Sequence, residues 1–240
     1  MRAKEPTANP RLPRHVGIIM DGNGRWAKRL GAAHKVGHKR GAEAFGKIAR
    51  HASSLGIEYL TVYAFSTENW SRPPEEVEDI MALLCAYLKD MARYEKENFR
   101  LNVLGEREPL DASLRDTIQD VERRSKANTG MVLNIALNYG GREEIVQAAR
   151  RLALHCAQGG ITPQDIDQNA FAECLYTAGQ PNVDLIIRTS GEMRISNFLL
   201  WQSAYAEYVF CNELWPDFTP KHFDNALREY ARRERRMGGR

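Results

Sequence analysis

HVGIIMDGNGRWAK, residues 15–28, decides the fold. It opens on HVGIIM (15–20), a short apolar run without polar alternation, the pattern of a strand covered on both faces as in a parallel sheet. Asp21-Gly22-Asn23-Gly24 then turns the chain tightly, and a helix is expected to start near Arg25. A buried strand that feeds a helix through a glycine turn is the opening of an α/β unit.

Outward from that unit the same grammar repeats. YLTVYAF (59–65), LNVLG (101–105), MVLNIAL (131–137), VDLIIR (183–188) and YAEYVFC (205–211) read as further strands. Between them lie stretches with helical spacing, such as Phe45, Ile48, Ala49, Ala52 and Leu55, or Val77, Ile80, Met81, Leu84, Tyr87, Leu88 and Met91. The second stripe suits core packing, or the lining of a pocket for a long hydrocarbon. Alternation along the whole chain predicts one α/β domain over residues 14–235 with a mostly parallel sheet, and mobile ends at 1–13 and 236–240.

Composition agrees with a globular enzyme-sized domain and excludes other classes. The 240 residues are 43% hydrophobic and 27% charged, which rules out disorder and fibrous folds. No run approaches the roughly 18 apolar residues of a membrane span, and the N-terminal stretch lacks the apolar segment of a secretory signal, so a cytoplasmic protein is expected. The four cysteines, Cys85, Cys156, Cys174 and Cys211, form no CxxC pair, and free thiols are expected. A net charge of +3 from 34 basic and 31 acidic residues is too balanced for a nucleic-acid binder, although REYARRERRMGGR (228–240) is locally basic.

An open parallel sheet places its site beyond the carboxyl ends of its strands. Those ends are polar here: Asp21 to Trp26, Ser66 to Arg72, Asn138 to Arg142, and Arg188 to Asn197. The glycines around Asn23 can bring backbone N–H groups toward an anion, as in a diphosphate cradle, although Asp-Gly turns also occur without ligands. No GKS or GKT follows and GxGxxG is absent, so the turn is neither a Walker A loop nor a dinucleotide fingerprint. Arg25, Arg72, Arg188 and Arg194 can each fork onto phosphate oxygens beside Ser66, Asn69 and Ser196, while Asp21 and Glu207 suit a hard cation such as magnesium. His34 and His38 stand four apart, but no third ligand lies near and Gly37 between them weakens a helix, so phosphate contact or surface placement is favoured over zinc.

These residues resemble the cis-prenyltransferase family. The resemblance is carried by HVGIIMDGNGRWAK, GHKRGAEA, LTVYAFSTENWSRP, LNIALNYGGREEIV, DLIIRTSGEMRISNFLLWQSAYAE and LWPDF, spread over residues 15–218 in the family's order. It implies a six-stranded, mostly parallel sheet flanked by helices, a hydrophobic tunnel and a homodimer. The implied activity is magnesium-dependent condensation of isopentenyl diphosphate onto an allylic diphosphate, usually farnesyl diphosphate, with a new cis double bond at each step. The implied product is a long polyprenyl diphosphate such as undecaprenyl diphosphate, the lipid-carrier precursor of cell-wall synthesis, released through transient contact with a membrane surface. The acidic DDxxD motif of trans-type synthases is absent.

By the same resemblance, Asp21 matches an essential aspartate that works with magnesium and diphosphate departure, and Gly22, Asn23, Gly24, Arg25 and His38 match the allylic-diphosphate site. Arg188, Arg194 and Ser196 match the isopentenyl-diphosphate site, and Glu207 a metal ligand that can come from a partner subunit. Ser66, Glu68, Asn69, Trp70 and Arg72 match a loop that closes over the substrates, with Asn69 in a proton-acceptor role that a neutral carboxamide fills poorly. Trp26, Thr67 and Ile195 are counted among the substrate-binding residues. At His34 the family commonly has arginine; an imidazole binds phosphate when protonated but lacks the permanent charge and the fork, and Lys35 or Lys39 would have to compensate. Two rivals remain: a noncatalytic homologue, against which the retained Asp21, Asn69, Arg188, Arg194 and Ser196 argue, and an RNA-binding α/β protein using the basic tail.

Overall fold

The computed structural model describes residues 12–90 and 97–233. The expected tails lie outside these residues except for Leu12 and Pro13, as do Met91 and the basic C-terminal stretch beyond Arg233. All six expected strands form: β1 (His15–Ile19), β2 (Tyr59–Ser66), β3 (Arg100–Leu104), β4 (Val132–Tyr139), β5 (Leu185–Arg188) and β6 (Glu207–Phe210). They make one sheet in the order β3-β4-β2-β1-β5-β6, and every pairing is parallel, so the sheet is wholly rather than mostly parallel.

The helices among the described residues are α1 (Asn23–Arg29), α2 (His34–Ser54), α3 (Pro74–Asp90), α4 (Ala112–Ser125), α5 (Gly141–Ala157), α6 (Gln168–Ala172) and α7 (Pro220–Arg232). Side-chain alternation along the strands divides the interior in two. Val16 and Ile18 of β1, Leu133, Ile135 and Leu137 of β4, and Leu185 and Ile187 of β5 join apolar residues of α2, α3, α4 and α7 in the larger core. Ile19, Ala136 and Ile186 point the other way, onto Phe198 and Leu199 of the segment after β5.

Gly37 does not break α2. A side chain there would overlap the Asn23 carbonyl oxygen, and one at Gly41 would overlap Asn23 Oδ1, so both glycines let α1 lie directly on α2. The helix gives up about 1 kcal/mol of propensity per glycine for that approach. Core packing is what the α3 stripe does: Val77, Ile80 and Leu88 are buried in the core, while Ile80, Leu84, Tyr87 and Leu88, with Leu83, also line a small cavity. The four cysteines are free, and Cys85 and Cys211 pack against the larger core.

Candidate active site

The chain leaves β1 toward β2 and leaves β5 toward β6, although β1 and β5 are neighbours. Loops that diverge in this way open a crevice at the carboxyl ends of the two strands. Asp21 follows β1 and Arg188 ends β5, and across that crevice Arg188 Nη2 donates to Asp21 Oδ2 at 2.8 Å. Arg188 is only 4% exposed, and its Nη1 donates to the Arg194 carbonyl (2.6 Å) and to Ser196 Oγ (2.7 Å). Its Nε is buried without a partner.

Arg25, one turn along α1, closes the other side. Its guanidinium lies 3.3 Å from Asp21 Oδ1 and 3.3 Å from Glu192 Oε1, and it also donates to the carbonyl and hydroxyl of Ser190. Burial pushes the Asp21 pKa up, but the hydrogen bond and charge of Arg188 and the charge of Arg25 outweigh it, so the carboxyl sits below its ordinary value. Arg194 pairs with Glu192 and is otherwise exposed. Ile195 is partly buried against the smaller core.

Thr189, fully buried, holds this arrangement from behind: the Asp21 N–H donates to its Oγ1 (3.0 Å), which itself donates to the Asp21 carbonyl (2.7 Å). The sequence placed Thr189 at a strand end without assigning it a role, because its use depends on β5 pairing with β1. Gly22 has φ 111°, a left-handed conformation suited to glycine, and it caps a seven-residue α1. Trp26 donates to Asp217 (2.8 Å) and so fastens α1 to the LWPDF segment.

Beside the crevice a cavity of about 80 Å³ runs between the sheet and α2 and α3, lined chiefly by apolar residues including Ala64, Leu84, Ile135 and Trp215. Asn23 and His38 also line it, and Asn23 Oδ1 and His38 Nε2 are buried with no hydrogen-bond partner. Buried polar atoms are normally satisfied, so two orphans at the polar end of an apolar cavity leave room there for a polar partner, water or a ligand group. Burial holds the His38 pKa below the usual histidine value, which leaves a neutral ring able to donate one N–H.

A basic group faces the same mouth around one carboxylate. Glu76 accepts from Arg72 (2.8 Å) and lies 3.6 Å from His34 Nδ1 and 3.8 Å from His38 Nε2. His34 also stands next to Gly24. Glu76 was missed by sequence reasoning; its position in the first turn of α3 was the only signal.

The residues after β2 form a 3₁₀ turn, Thr67–Ser71, in which the Ser66 N–H donates to Asn69 Oδ1 (3.1 Å). Asn69 therefore closes a turn. Trp70 donates to Asn138 Oδ1 (2.7 Å), tying this turn to the end of β4. Thr67 donates to Glu68 (3.3 Å). Glu207 is not brought to Asp21: it opens β6 opposite Leu185, at the other end of the strand, and accepts from Arg233 at 2.8 Å. Among the described residues no group of three or more His, Cys, Asp or Glu side chains is placed to hold a metal, and no helix is long and apolar enough to cross a membrane.

Comparison with known proteins gives the family. A prenyltransferase family model described as "Putative undecaprenyl diphosphate synthase" matches residues 19–238. The isoprenyl transferase of Rhizobium meliloti is 49% identical over 229 residues, covering 95% of this chain and 93% of that protein. That of Brucella abortus is 50% identical over 228 residues, covering 95% and 90%. The crystal structure of lavandulyl diphosphate synthase from Lavandula x intermedia in complex with dimethylallyl diphosphate superposes with a TM-score of 0.92 at 37% identity, covering 96% of this chain and all of that one. That of a probable undecaprenyl diphosphate synthase from Campylobacter jejuni gives 0.79 at 31% identity, covering 95% and 99%. With a family match across nearly its whole length and the fold shared with solved members, the chain belongs to the undecaprenyl diphosphate synthase family of prenyltransferases.

Proposed function

We propose that the protein elongates an allylic diphosphate, farnesyl diphosphate, by successive condensation with isopentenyl diphosphate to give a long cis-polyprenyl diphosphate such as undecaprenyl diphosphate. The observation that carries this reading is the apolar cavity ending at the unpartnered Asn23 Oδ1 and His38 Nε2, beside the Asp21–Arg188 pair. An apolar tail with a polar, anionic head is the ligand shape this combination suits. Arg25, His34, His38 and Arg72 would face the allylic diphosphate, and Arg188, Arg194 and Ser196 the isopentenyl diphosphate.

In this reading the cations and the N–H groups of α1 stabilise charge on the departing diphosphate, and the apolar walls keep water from the allylic carbon. Asn69 positions its turn, and the proton removed from the condensing substrate goes to a phosphate oxygen rather than to the carboxamide. Asp21 is ionised throughout the neutral range and fits a magnesium ion that is held by one carboxylate and substrate phosphates. Such an ion, when bound, neutralises phosphate charge. Within one chain Glu207, at the start of β6, is too far from Asp21 to share it, so its role would lie across a homodimer.

At about 80 Å³ the cavity is well below the roughly 300–1,000 Å³ of a typical ligand pocket, so a growing product would need its walls to part. The test is incubation with farnesyl diphosphate, radiolabelled isopentenyl diphosphate and magnesium, followed by chromatographic sizing. A ladder ending in a long product supports the proposal. A single condensation product would refute chain elongation, and no transfer would refute the reaction. Light scattering checks the homodimer, and cofractionation with vesicles during turnover checks membrane contact at release.

A further inference from the structure

We propose that Asn197 is a positioning residue that sets the loop carrying Arg194 and Ser196 against the turn after β2, so that two separate strand ends act as one site; this rests on the reading of that site as a prenyl-diphosphate condensing centre. Asn197 has φ 63°, between Ser196 at 46° and, two residues on, Leu199 at 46°. Three non-glycine residues in the left-handed region of one short segment are costly unless neighbouring contacts hold them there.

Asn197 supplies those contacts. Its carbonyl accepts from the Gly141 N–H (2.7 Å) and its Oδ1 from the Arg142 N–H (2.9 Å), both in the first turn of α5. Because Oδ1 is fixed by a backbone donor, the amide nitrogen must point the other way, where it donates to Glu68 (3.0 Å) and Glu143 (3.1 Å). One side chain thus joins the ends of β2, β4 and β5. Its neighbour Ser196 accepts from Arg188, which in turn holds Asp21.

The glycine pair at the end of β4 is the seat for this residue. A side chain at Gly140 would overlap Glu143 and come within 2.8 Å of both Asn197 Nδ2 and Thr67 Oγ1. One at Gly141 would stand 2.7 Å from Leu200 and 3.1 Å from the Asn197 carbonyl. A second anchor lies five residues on, where Gln202 donates to the buried Glu144 of the same helix (3.1 and 3.2 Å). That anchor does not involve Asn197.

The experiment compares wild type, Asn197→Ala, Glu68→Ala and the double variant, reading kcat, both substrate KM values and Tm. Asn197→Ala is expected to raise the isopentenyl diphosphate KM roughly tenfold or more, as for a lost contact to a charged group, with the farnesyl diphosphate KM within about twofold of wild type. The double variant should be clearly less impaired than two independent losses multiplied together. Asn197→Asp keeps the acceptor for Arg142 but turns a carboxylate onto Glu68 and Glu143; it should fold and show the same KM split, which covers the case of an alanine variant that does not fold. An unchanged isopentenyl diphosphate KM, equal losses in both KM values, or multiplicative effects overturn the inference alone. A wild type without prenyl transfer overturns the proposed function, and the inference with it.

Discussion

Replacing Asp21 with alanine removes the charged partner of a guanidinium that is 4% exposed. Stranding a buried charge costs about 3–5 kcal/mol. Two features of the site reduce that figure: the Asp21 side chain is 28% exposed, so water can enter the gap, and Arg188 keeps the Arg194 carbonyl and Ser196 hydroxyl as acceptors. A loss of about 1–3 kcal/mol is therefore expected, or roughly 3–10 °C in Tm for a chain of this size. The folded-state pKa of Asp21 lies below its unfolded value, so the stabilisation is complete above the ordinary carboxylate pKa of about 3.9 and fades as pH falls through the folded value. The difference in Tm between wild type and Asp21→Ala should be flat from about pH 5 to 8 and close only under stronger acid. Asp21→Asn, which retains an acceptor for Arg188, should melt closer to wild type yet lose turnover as fully, by on the order of a hundredfold to a thousandfold. Thermal melts across pH and product formation with radiolabelled isopentenyl diphosphate measure both effects. An Asp21→Ala protein that melts with wild type at neutral pH, or turns over within a few-fold of it, would refute the coupling drawn here between charge, fold and chemistry.

Leu84→Trp fills the wall of the apolar cavity and should shorten the product distribution; full-length product with only a lowered Tm would place the growing chain elsewhere. His34→Arg should raise farnesyl diphosphate affinity, because a guanidinium brings a permanent charge and a fork; unchanged affinity in a direct binding measurement would remove His34 from the diphosphate. Gly37→Ala gains helix propensity but drives a methyl group into the Asn23 carbonyl, so it should lower stability by about 1–3 kcal/mol, and an equal or higher Tm would contradict the close approach of α1 to α2.

The strands were legible because a run such as VDLIIR has no polar face to show, and the candidate site residues were legible because polar side chains cluster where those runs stop. What was hidden depended on strand order. Asp21 and Arg188 are 167 positions apart, and only the pairing of β1 with β5 makes them partners. The same holds for Thr189, which reads as an ordinary strand-end residue until β1 is laid beside it. Gly37 was read by propensity as a weakness, whereas tertiary contact with Asn23 made small size the requirement. Glu207 was grouped with Asp21 as a carboxylate suited to a hard cation and, by the resemblance, as a ligand that can come from a partner subunit; within one chain its place at the start rather than the end of β6 puts the length of a strand between them.

Glu76 gives the site an internal counter-ion. Arg72 is already paired with this carboxylate, and His34 and His38 stand beside it, so under the proposed function an incoming anion enters by exchange rather than by simple attraction. A bare phosphate must displace Glu76 on charge alone. A prenyl diphosphate brings hydrocarbon as well, worth about 25 cal/mol for each Å² taken out of water, and that burial can tip the exchange. Discrimination against the abundant inorganic anions of a cell would then reside in the tail of the ligand, although the contacts that reject them are made at its head.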